Sequence, residues 1–147
     1  MIIQGEGSLN ILNSGFNSEP SEVIVNGMSQ PNCKKSCQFE NSLNNVTIKF
    51  DTLIESCENM FYKINCIIEI DLSKFDASKV TSMYRMFGEC TNLKKITFGN
   101  INTSLVINME KLFYKCYNLI TIDRLNFDTL SVKTMRQMFS HVNLYYQ

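Results

Sequence analysis

A repeat of fixed length dominates the second half of the sequence. An apolar residue followed by phenylalanine recurs every 26 residues, at Met60-Phe61, Met86-Phe87, Leu112-Phe113 and Met138-Phe139. No insertion or deletion interrupts this step. A fixed period of about 20–50 residues is typical of stacked repeats, because one unit cannot bury its apolar face alone. The sequence therefore predicts a solenoid in which each 26-residue unit packs on the next.

Two hydrophobic patterns alternate within each unit. Residues 83–90 carry apolar side chains at i, i+3, i+4 and i+7, which favours one face of a short helix. Residues 93–98 read Leu-x-x-Ile-x-Phe, and the i, i+2 spacing of Ile96 and Phe98 favours a short strand. The positions before each helical pattern hold good N-cap residues, namely Ser56, Ser82, Asn108 and Thr134. We therefore expect an α/β solenoid with short strands in a parallel sheet and short helices on the opposite side.

A turn should connect each strand to the next helical pattern. Asp76, Asn102 and Asp128 share one position of the repeat, and these residue types favour Asx-turns. The same residues could instead point to calcium, but the Gly-Asp signature of calcium-binding repeats is absent from the sequence. We therefore predict a turn at this position and no metal site.

Residues 1–45 lie outside the 26-residue register. This segment holds both prolines and four of the six glycines. Residues 22–26 read as a strand that ends at the turn signal Asn26-Gly27, and residues 46–50 alternate as a half-buried strand does. A stack of repeats needs an atypical end unit to cover its core. We predict a β-rich cap over 1–45 and the solenoid over 46–147, with its last unit incomplete.

The repeats resemble a known family. The segments at 86–109 and 112–135 share the pattern M/L-F-x-x-C-x-x-L, and residues 70–83 read IDLSKFDASKVTSM. These features are similar to the BspA-like leucine-rich-repeat surface proteins of bacteria and protists, over about residues 50–147. Ile64 and Val142 depart from the family pattern, since they replace its cysteine. The resemblance implies a leucine-rich-repeat-like fold, a location at the cell surface or exterior, and binding or adhesion in place of catalysis.

The charge balance and the length of the apolar runs argue against nucleic-acid binding and against membrane insertion. The chain carries 14 basic and 14 acidic residues, whereas nucleic-acid binding needs a surplus of lysine and arginine. No apolar run reaches the roughly 18 residues of a membrane span, and the first residues lack the pattern of a signal peptide. We therefore expect neither nucleic-acid binding nor direct membrane insertion.

The cysteines divide into two groups. Cys90 and Cys116 share one repeat position, and equivalent side chains in adjacent layers seldom meet the torsion of a disulfide, so we expect buried free thiols. Cys33 and Cys37 lie in the cap, where in an oxidising compartment they could bond each other or reach Cys57. Zinc is the alternative for this pair. The sole histidine lies far along the chain, so we predict no metal site and no cofactor.

Catalysis finds no support in the pattern of residues. His141 is the sole histidine, and no acid–base pair or nucleophile recurs with a partner. The two N-x-[ST] sequons, at Asn45 and Asn102, are candidate glycosylation sites if the chain is exported.

These observations lead to one main functional hypothesis and two alternatives. The main hypothesis is a non-enzymatic repeat module that presents a surface for protein or glycan binding at the cell exterior. The outward residues of the predicted strands would form the contact surface: Glu69, Asp71, Lys95, Thr97, Thr121 and Asp123. The alternatives are an intracellular (cytoplasmic) scaffold for protein–protein contacts with the same fold and an unrecognised hydrolase.

The last unit predicts self-association. Its helical pattern is present, but the sequence stops at Tyr145-Tyr146-Gln147, where Tyr145 holds the position of Leu93 and Leu119. The preceding strand, around 120–123, would then lack a neighbour on one side, and unpaired strand edges invite pairing with another chain. We interpret the sequence as part of a longer array and expect association through this edge. The alternative is that Tyr145 and Tyr146 fold over the open core and cover it.

Overall fold

The computed structural model describes residues 1–123 and 125–143. This part of the chain contains nine strands and no helix. The strands are β1 (Ile2–Gln4), β2 (Gly7–Asn10), β3 (Glu22–Val25), β4 (Met28–Ser29), β5 (Ser36–Phe39), β6 (Leu43–Lys49), β7 (Ile67–Asp71), β8 (Lys95–Thr97) and β9 (Thr121–Asp123). Seven of them form one mixed sheet in the order β4-β3-β6-β1-β7-β8-β9, and β2 pairs with β5.

The N-terminal strands join the repeats directly. Asn26 and Gly27 have φ angles of 51° and 85°, so the predicted turn is confirmed as the connection of the β3–β4 hairpin. Strand β1 lies between β6 and β7 and is antiparallel to both. The predicted division at residues 45 and 46 falls inside β6, so the sheet continues across it.

The three repeat strands stack in parallel with the 26-residue step. Ile70 of β7 is opposite Ile96 of β8, which is opposite Ile122 of β9. The first two of these side chains are buried, whereas the flanking positions Glu69 and Lys95 are exposed. One side of this sheet therefore faces the core, and the other, which we call the outer face, is solvent-exposed.

The expected α/β fold with short helices is wrong. Where helices were predicted, two consecutive turns occur in each unit. Backbone amides there donate alternately within their own unit and to the next unit. Ile64 N–H donates to the Phe61 carbonyl of the same unit at 3.0 Å, whereas Phe61 N–H donates to the Met86 carbonyl of the next unit at 2.9 Å. Asn59 and Lys63 have φ angles of 57° and 61°, in the left-handed region, which interrupts any helix. We call the resulting bonds between successive units the turn ladder.

The apolar spacing led to a wrong prediction of helices, because two consecutive turns bury the side chains at the same sequence positions as a helix would. Met83, Met86, Phe87 and Cys90 are all fully buried. The predicted N-cap residues also accept local bonds, but these bonds start a turn. Glu110 N–H, for example, donates to Asn108 Oδ1 at 2.9 Å. Residues 56, 82, 108 and 134 form parallel bridges across the units, so their backbone carries a second line of pairing.

A column of phenylalanine rings runs through the core. Its members Phe61, Phe87, Phe113 and Phe139 are stacked, with centroids 5.5, 5.7 and 5.2 Å apart. Phe98 meets the Phe87 and Phe113 rings edge-on, at 6.3 and 6.1 Å. Phe87 and Phe113 are 0% exposed, which confirms the expectation that both are fully buried.

Replacing a ring inside this column should be costly. We expect Phe87→Ala to lower the free energy of unfolding by about 3–5 kcal/mol, because the mutation removes a buried aromatic and leaves a cavity. Phe139→Ala is the matched control, since that ring is 37% exposed and should cost clearly less. Urea unfolding followed by circular dichroism measures both. Equal losses would contradict the assigned core.

The last described unit is covered less well than the units before it. Met135 is 49% exposed, whereas its counterpart Met109 is fully buried. Strand β9 is the edge strand on this side of the sheet. Tyr145, on which the sequence-based interpretation of this end depended, lies outside the described residues.

We expect the 147-residue chain to associate with increasing concentration through the apolar layer around Met135 and the β9 edge. Met135→Glu should shift the chain toward monomer in sedimentation velocity, because a charge in this layer opposes burial. Met28→Glu is the control, since Met28 is 66% exposed on β4 at the opposite edge of the sheet. A wild-type chain that stays monomeric at all concentrations would contradict the prediction.

Candidate functional site

The six predicted contact residues lie together on the outer face of β7–β9. They form two rows across the strands, with Glu69, Lys95 and Thr121 in one and Asp71, Thr97 and Asp123 in the other. Glu69, Asp71 and Lys95 are exposed, and the remaining three are half-buried. The 26-residue step therefore produces a polar surface of defined spacing, which we call the outer stripe.

One ion pair links the two rows of the outer stripe. Lys95 Nζ lies 3.2 Å from Asp123 Oδ2, and the same carboxylate oxygen is 3.5 Å from Thr97 Oγ1. Exposed pairs of this kind contribute only about 0–1 kcal/mol to stability. Lys95 and Asp123 can therefore each leave this ion pair and contact a partner with little loss of folding stability.

A cleft lies beside the outer stripe, at the junction of the cap and the repeats. Its volume is about 990 Å³, and its walls are β6 and the segment after it on one side and β7 with residues 72–76 on the other. Strand β1 separates β6 from β7, and the cleft opens beyond Met1, where this strand begins. Four stripe residues also line the cleft: Glu69, Asp71, Lys95 and Thr97.

The cleft combines an apolar floor with a charged rim. Its buried apolar lining residues are Ile54, Met60, Phe61, Ile70 and Leu72. Phe50 and Phe75 are half-buried and line it at corresponding positions on the two sides. This combination suits a ligand that buries some apolar groups and keeps its polar groups at the rim.

Two carboxylates of the rim are held ionised by local hydrogen bonds. The backbone amide and then the side chain of Ser73 lower the pKa of Asp71, and the amide donates to its Oδ1 at 2.8 Å. The side chain and the amide of Ser78 lower the pKa of Asp76 in the same way. These bonds also confirm the predicted Asx-turn at Asp76.

Sequence reasoning found the outer stripe but missed the cleft. The relevant signal was the likeness of Phe50-Asp51 to Phe75-Asp76, which places similar residues on opposite walls. Nothing in the spacing indicates that β1, a three-residue strand, inserts between β6 and β7. The cleft depends on that insertion.

The turn ladder presents a second surface with aromatic and charged side chains. Tyr62 Oη donates to Glu89 Oε1 at 2.9 Å, and the Arg85 guanidinium carbon lies 5.5 Å from the centre of the Tyr62 ring. His141 is exposed and contacts the rings of Tyr114 and Tyr117. Several of these rings already pack against a cation of this chain, so this surface is a weaker candidate for a partner than the outer stripe.

The cysteines occupy distinct chemical environments. Cys33 and Cys37 are joined by a disulfide, whereas Cys57, the third member of the proposed set, is a buried free thiol. Cys90 and Cys116 are free and buried, and their Sγ atoms donate to the carbonyls of residues 61 and 87 at 2.9 and 3.0 Å. The thiols thereby bond each unit to the one before it.

The two candidate glycosylation residues are both exposed. Asn45 lies on β6, where its backbone N–H donates to Asn26 Oδ1. Asn102 Oδ1 accepts bonds from the amide and the hydroxyl of Ser104, at 3.0 and 2.8 Å, as predicted for an Asx-turn. A glycan on Asn102 would therefore have to coexist with this turn.

Within residues 1–123 and 125–143, histidine, cysteine and acidic side chains form no group of three or more that could hold a metal ion. The same part of the chain has no helix of the length and apolarity needed to cross a membrane.

Comparison with known proteins gives a family. Residues 31–147 match the family described as "Mycoplasma protein of unknown function, DUF285". The chain belongs to this family. Neither a curated protein nor a solved structure matches it.

The family match covers most of the candidate site. It includes β5–β9, and with them the outer stripe and both long walls of the cleft. Strand β1, which closes one end of the cleft, lies before the matched residues.

The free cysteines should differ in how fast their thiols react in the native chain. Burial raises the pKa of Cys57 and Cys116 to about 12, and it raises that of Cys90 strongly. Cys66 is the half-buried free thiol, and burial raises its pKa as well. At pH 8 we expect slow reaction of Cys66 alone in the native chain, because the thiolate is the reactive form.

Titration with a thiol-reactive chromophore tests this expectation. Unfolding without a reductant should expose four thiols, and reduction of the Cys33–Cys37 bond should bring the number to six. Cys66→Ser should abolish the native reaction. Rapid reaction of several thiols in the native chain would contradict the assigned burial.

Proposed function

We propose that the chain is a non-enzymatic binding module whose outer stripe contacts a protein or glycan partner at the cell exterior. The observation that carries the proposal is the pair of polar rows aligned across β7–β9. Exposed charged side chains on a rigid parallel sheet form a surface that can select partners by charge and spacing.

Two further observations support the proposed location. The repeat pattern resembles that of BspA-like surface proteins, and on this basis we propose membership in that wider group as well. The Cys33–Cys37 disulfide is typical of proteins that fold in an oxidising compartment.

An intracellular scaffold with the same binding surface is the second candidate. The four free cysteines favour it, because unpaired thiols are more common in reducing compartments. Quenching intact cells in acid and then alkylating the thiols in denaturant distinguishes the two: two protected cysteines support the exterior, and six alkylated cysteines support the cytoplasm.

Exchanging the charges of an ion pair tests the binding surface. In Lys95→Asp/Asp123→Lys the pair and the net charge persist, but the two charges exchange positions on the outer stripe. We expect this variant to lose roughly tenfold or more of the affinity for partners selected by the wild-type chain from a printed glycan array or a displayed protein library.

The matched control exchanges a pair on the turn-ladder surface. Lys63→Glu/Glu89→Lys inverts a pair with Nζ and Oε2 3.7 Å apart, and it should leave binding unchanged. Equal loss in both variants, or loss in the control alone, would contradict the assignment of the outer stripe.

A further inference from the structure

A smaller cavity lies between the β3–β4 hairpin and the turn that joins β5 to β6. Its volume is about 200 Å³, and all of its lining residues fall within 25–44. Most of them carry a side-chain amide, namely Asn26, Gln30, Gln38, Asn41 and Asn44. Val25, Met28 and Glu40 form the rest of the lining. We call this cavity the amide pocket.

The strand register places the amide pocket on the side of the sheet away from the outer stripe. Asn45 is opposite Ile2, and Ile2 is opposite Glu69, so Asn45 shares the outer face with the stripe. Asn44 precedes Asn45 on β6, so its side chain points to the other face, where it is 1% exposed. The pocket is therefore a separate site, and it does not depend on the function proposed for the outer stripe.

One wall of the amide pocket is the edge strand β4 with the residue after it. Met28 is opposite Val25, and Gln30 N–H donates to the Val23 carbonyl at 2.8 Å. Both side chains therefore lie on the same face as the two valines, which are buried. This wall offers an apolar side chain and an amide next to each other.

The other wall is the end of β5. Cys37 and Phe39 are buried, so Gln38 lies on the opposite side of this strand, where it is exposed. Glu40 follows the strand directly and is exposed on the same side as Gln38. The turn after it brings Asn41 to the pocket.

The floor of the amide pocket is fixed by hydrogen bonds. Asn44 Nδ2 donates to the carbonyls of Gly5 and Asn41, and Asn44 Oδ1 accepts from Asn26 Nδ2 at 3.1 Å. Asn26 Oδ1 in turn accepts from Asn45 N–H at 2.8 Å. These bonds hold the two hairpins in place relative to each other without using the side chains of the walls.

The polar side chains of the walls have no partner within the described residues. Those of Gln30, Gln38, Glu40 and Asn41 make neither a hydrogen bond nor an ion pair in this part of the chain. Exposed amides of the repeats, by contrast, bond to the preceding unit, as Asn118 Nδ2 does to the Thr91 carbonyl at 2.7 Å. Several available polar groups that converge on one cavity are the usual composition of a ligand site.

The chemistry of the lining indicates the class of ligand. An amide side chain has two N–H donors and one acceptor oxygen, and a sugar hydroxyl both donates and accepts, so the two pair in either direction. A pyranose ring also has C–H groups, for which Met28 provides an apolar contact, since its side chain is 66% exposed. Glu40 is the one charged residue among the described residues of the lining, and its carboxylate opposes a negatively charged sugar.

We propose that the amide pocket binds one uncharged sugar residue of a glycan. The hydroxyls bond to the side chains of Gln30, Gln38 and Asn41, and the C–H groups of the ring lie against Met28. The pocket is smaller than the roughly 300–1,000 Å³ of a typical small-molecule site, which fits a single ring.

Side-chain amide signals in the NMR spectrum of the ¹⁵N-labelled 147-residue chain test the proposal. The probes are the methyl glycosides of N-acetylglucosamine, galactose and glucose, with methyl glucuronide as the charged counterpart. We expect at least one neutral glycoside to shift the signals of Gln30, Gln38 and Asn41 in a saturable way at millimolar concentration, and methyl glucuronide to bind several-fold more weakly. If none of the neutral glycosides shifts these signals, the proposal is overturned.

A single substitution in the wall locates the site. Gln38→Leu keeps the size of an exposed side chain but removes its donors and acceptor, so we expect several-fold weaker binding of the neutral glycoside. Gln4→Leu is the matched control, because Gln4 is an exposed amide on β1 that does not line the pocket. Backbone signals of β7–β9 show whether both variants are folded. Equal effects of the two substitutions would overturn the site.

Glu40→Gln distinguishes a sugar from a cation. This variant removes the charge and adds an amide, so it should keep the neutral glycosides and bind methyl glucuronide more tightly than the wild type does. Calcium alone is the comparison probe. If calcium shifts the signals of the pocket, Glu40→Gln abolishes that shift and no glycoside binds, the pocket is a cation site and the proposal is overturned.

The two binding sites can fail independently. If partners selected by the chain are lost on the Lys95–Asp123 exchange and no glycoside shifts the signals of the amide pocket, this inference is overturned and the outer-stripe function stands. Glycoside binding that is lost in Gln38→Leu, in a chain whose selected partners withstand the Lys95–Asp123 exchange, would support the amide pocket and contradict the outer stripe.

Discussion

The structure depends on backbone hydrogen bonds that run from one 26-residue unit to the next. In the turn ladder, every second amide donates to the carbonyl 25 residues ahead, as Phe61 does to Met86 and Phe87 to Leu112. The amides between them close local turns. Because buried backbone groups must be paired, this arrangement lets a segment without helix or strand lie over the core. The phenylalanine column and the two cysteine thiols then add contacts along the same direction.

The sequence allowed the positions of the core to be predicted, but not the backbone that holds them. The 26-residue step identified Phe87 and Phe113 as buried, and it aligned Ile70 with Ile96. The spacing i, i+3, i+4, i+7 led us to predict helices, because it indicates only which side chains point inward and not the backbone conformation. The distinguishing property is the positive φ at residues such as Lys63, and lysine has no special preference for that conformation.

One part of the candidate site could be predicted from the sequence, and the other part could not. The outer stripe follows from strand alternation, so Glu69 and Lys95 could be placed on one face without a structure. The cleft could not be placed, because it arises from the contact between Ile2 and the strands at 43–49 and 67–71. That contact joins residues distant in sequence and lies outside the repeat. Periodicity carries no information about it.

The constant step of the repeat also has a genetic consequence. An added or deleted block of 26 codons would leave every remaining unit facing the same ladder of donors and acceptors, because each unit presents equivalent groups to its two neighbours. Loss of a single codon within a unit would instead shift all the residues after it out of alignment. Recombination between misaligned copies of the gene could therefore change the length of the array in whole units, and so the number of side chains displayed on the outer face, without a new fold having to be found.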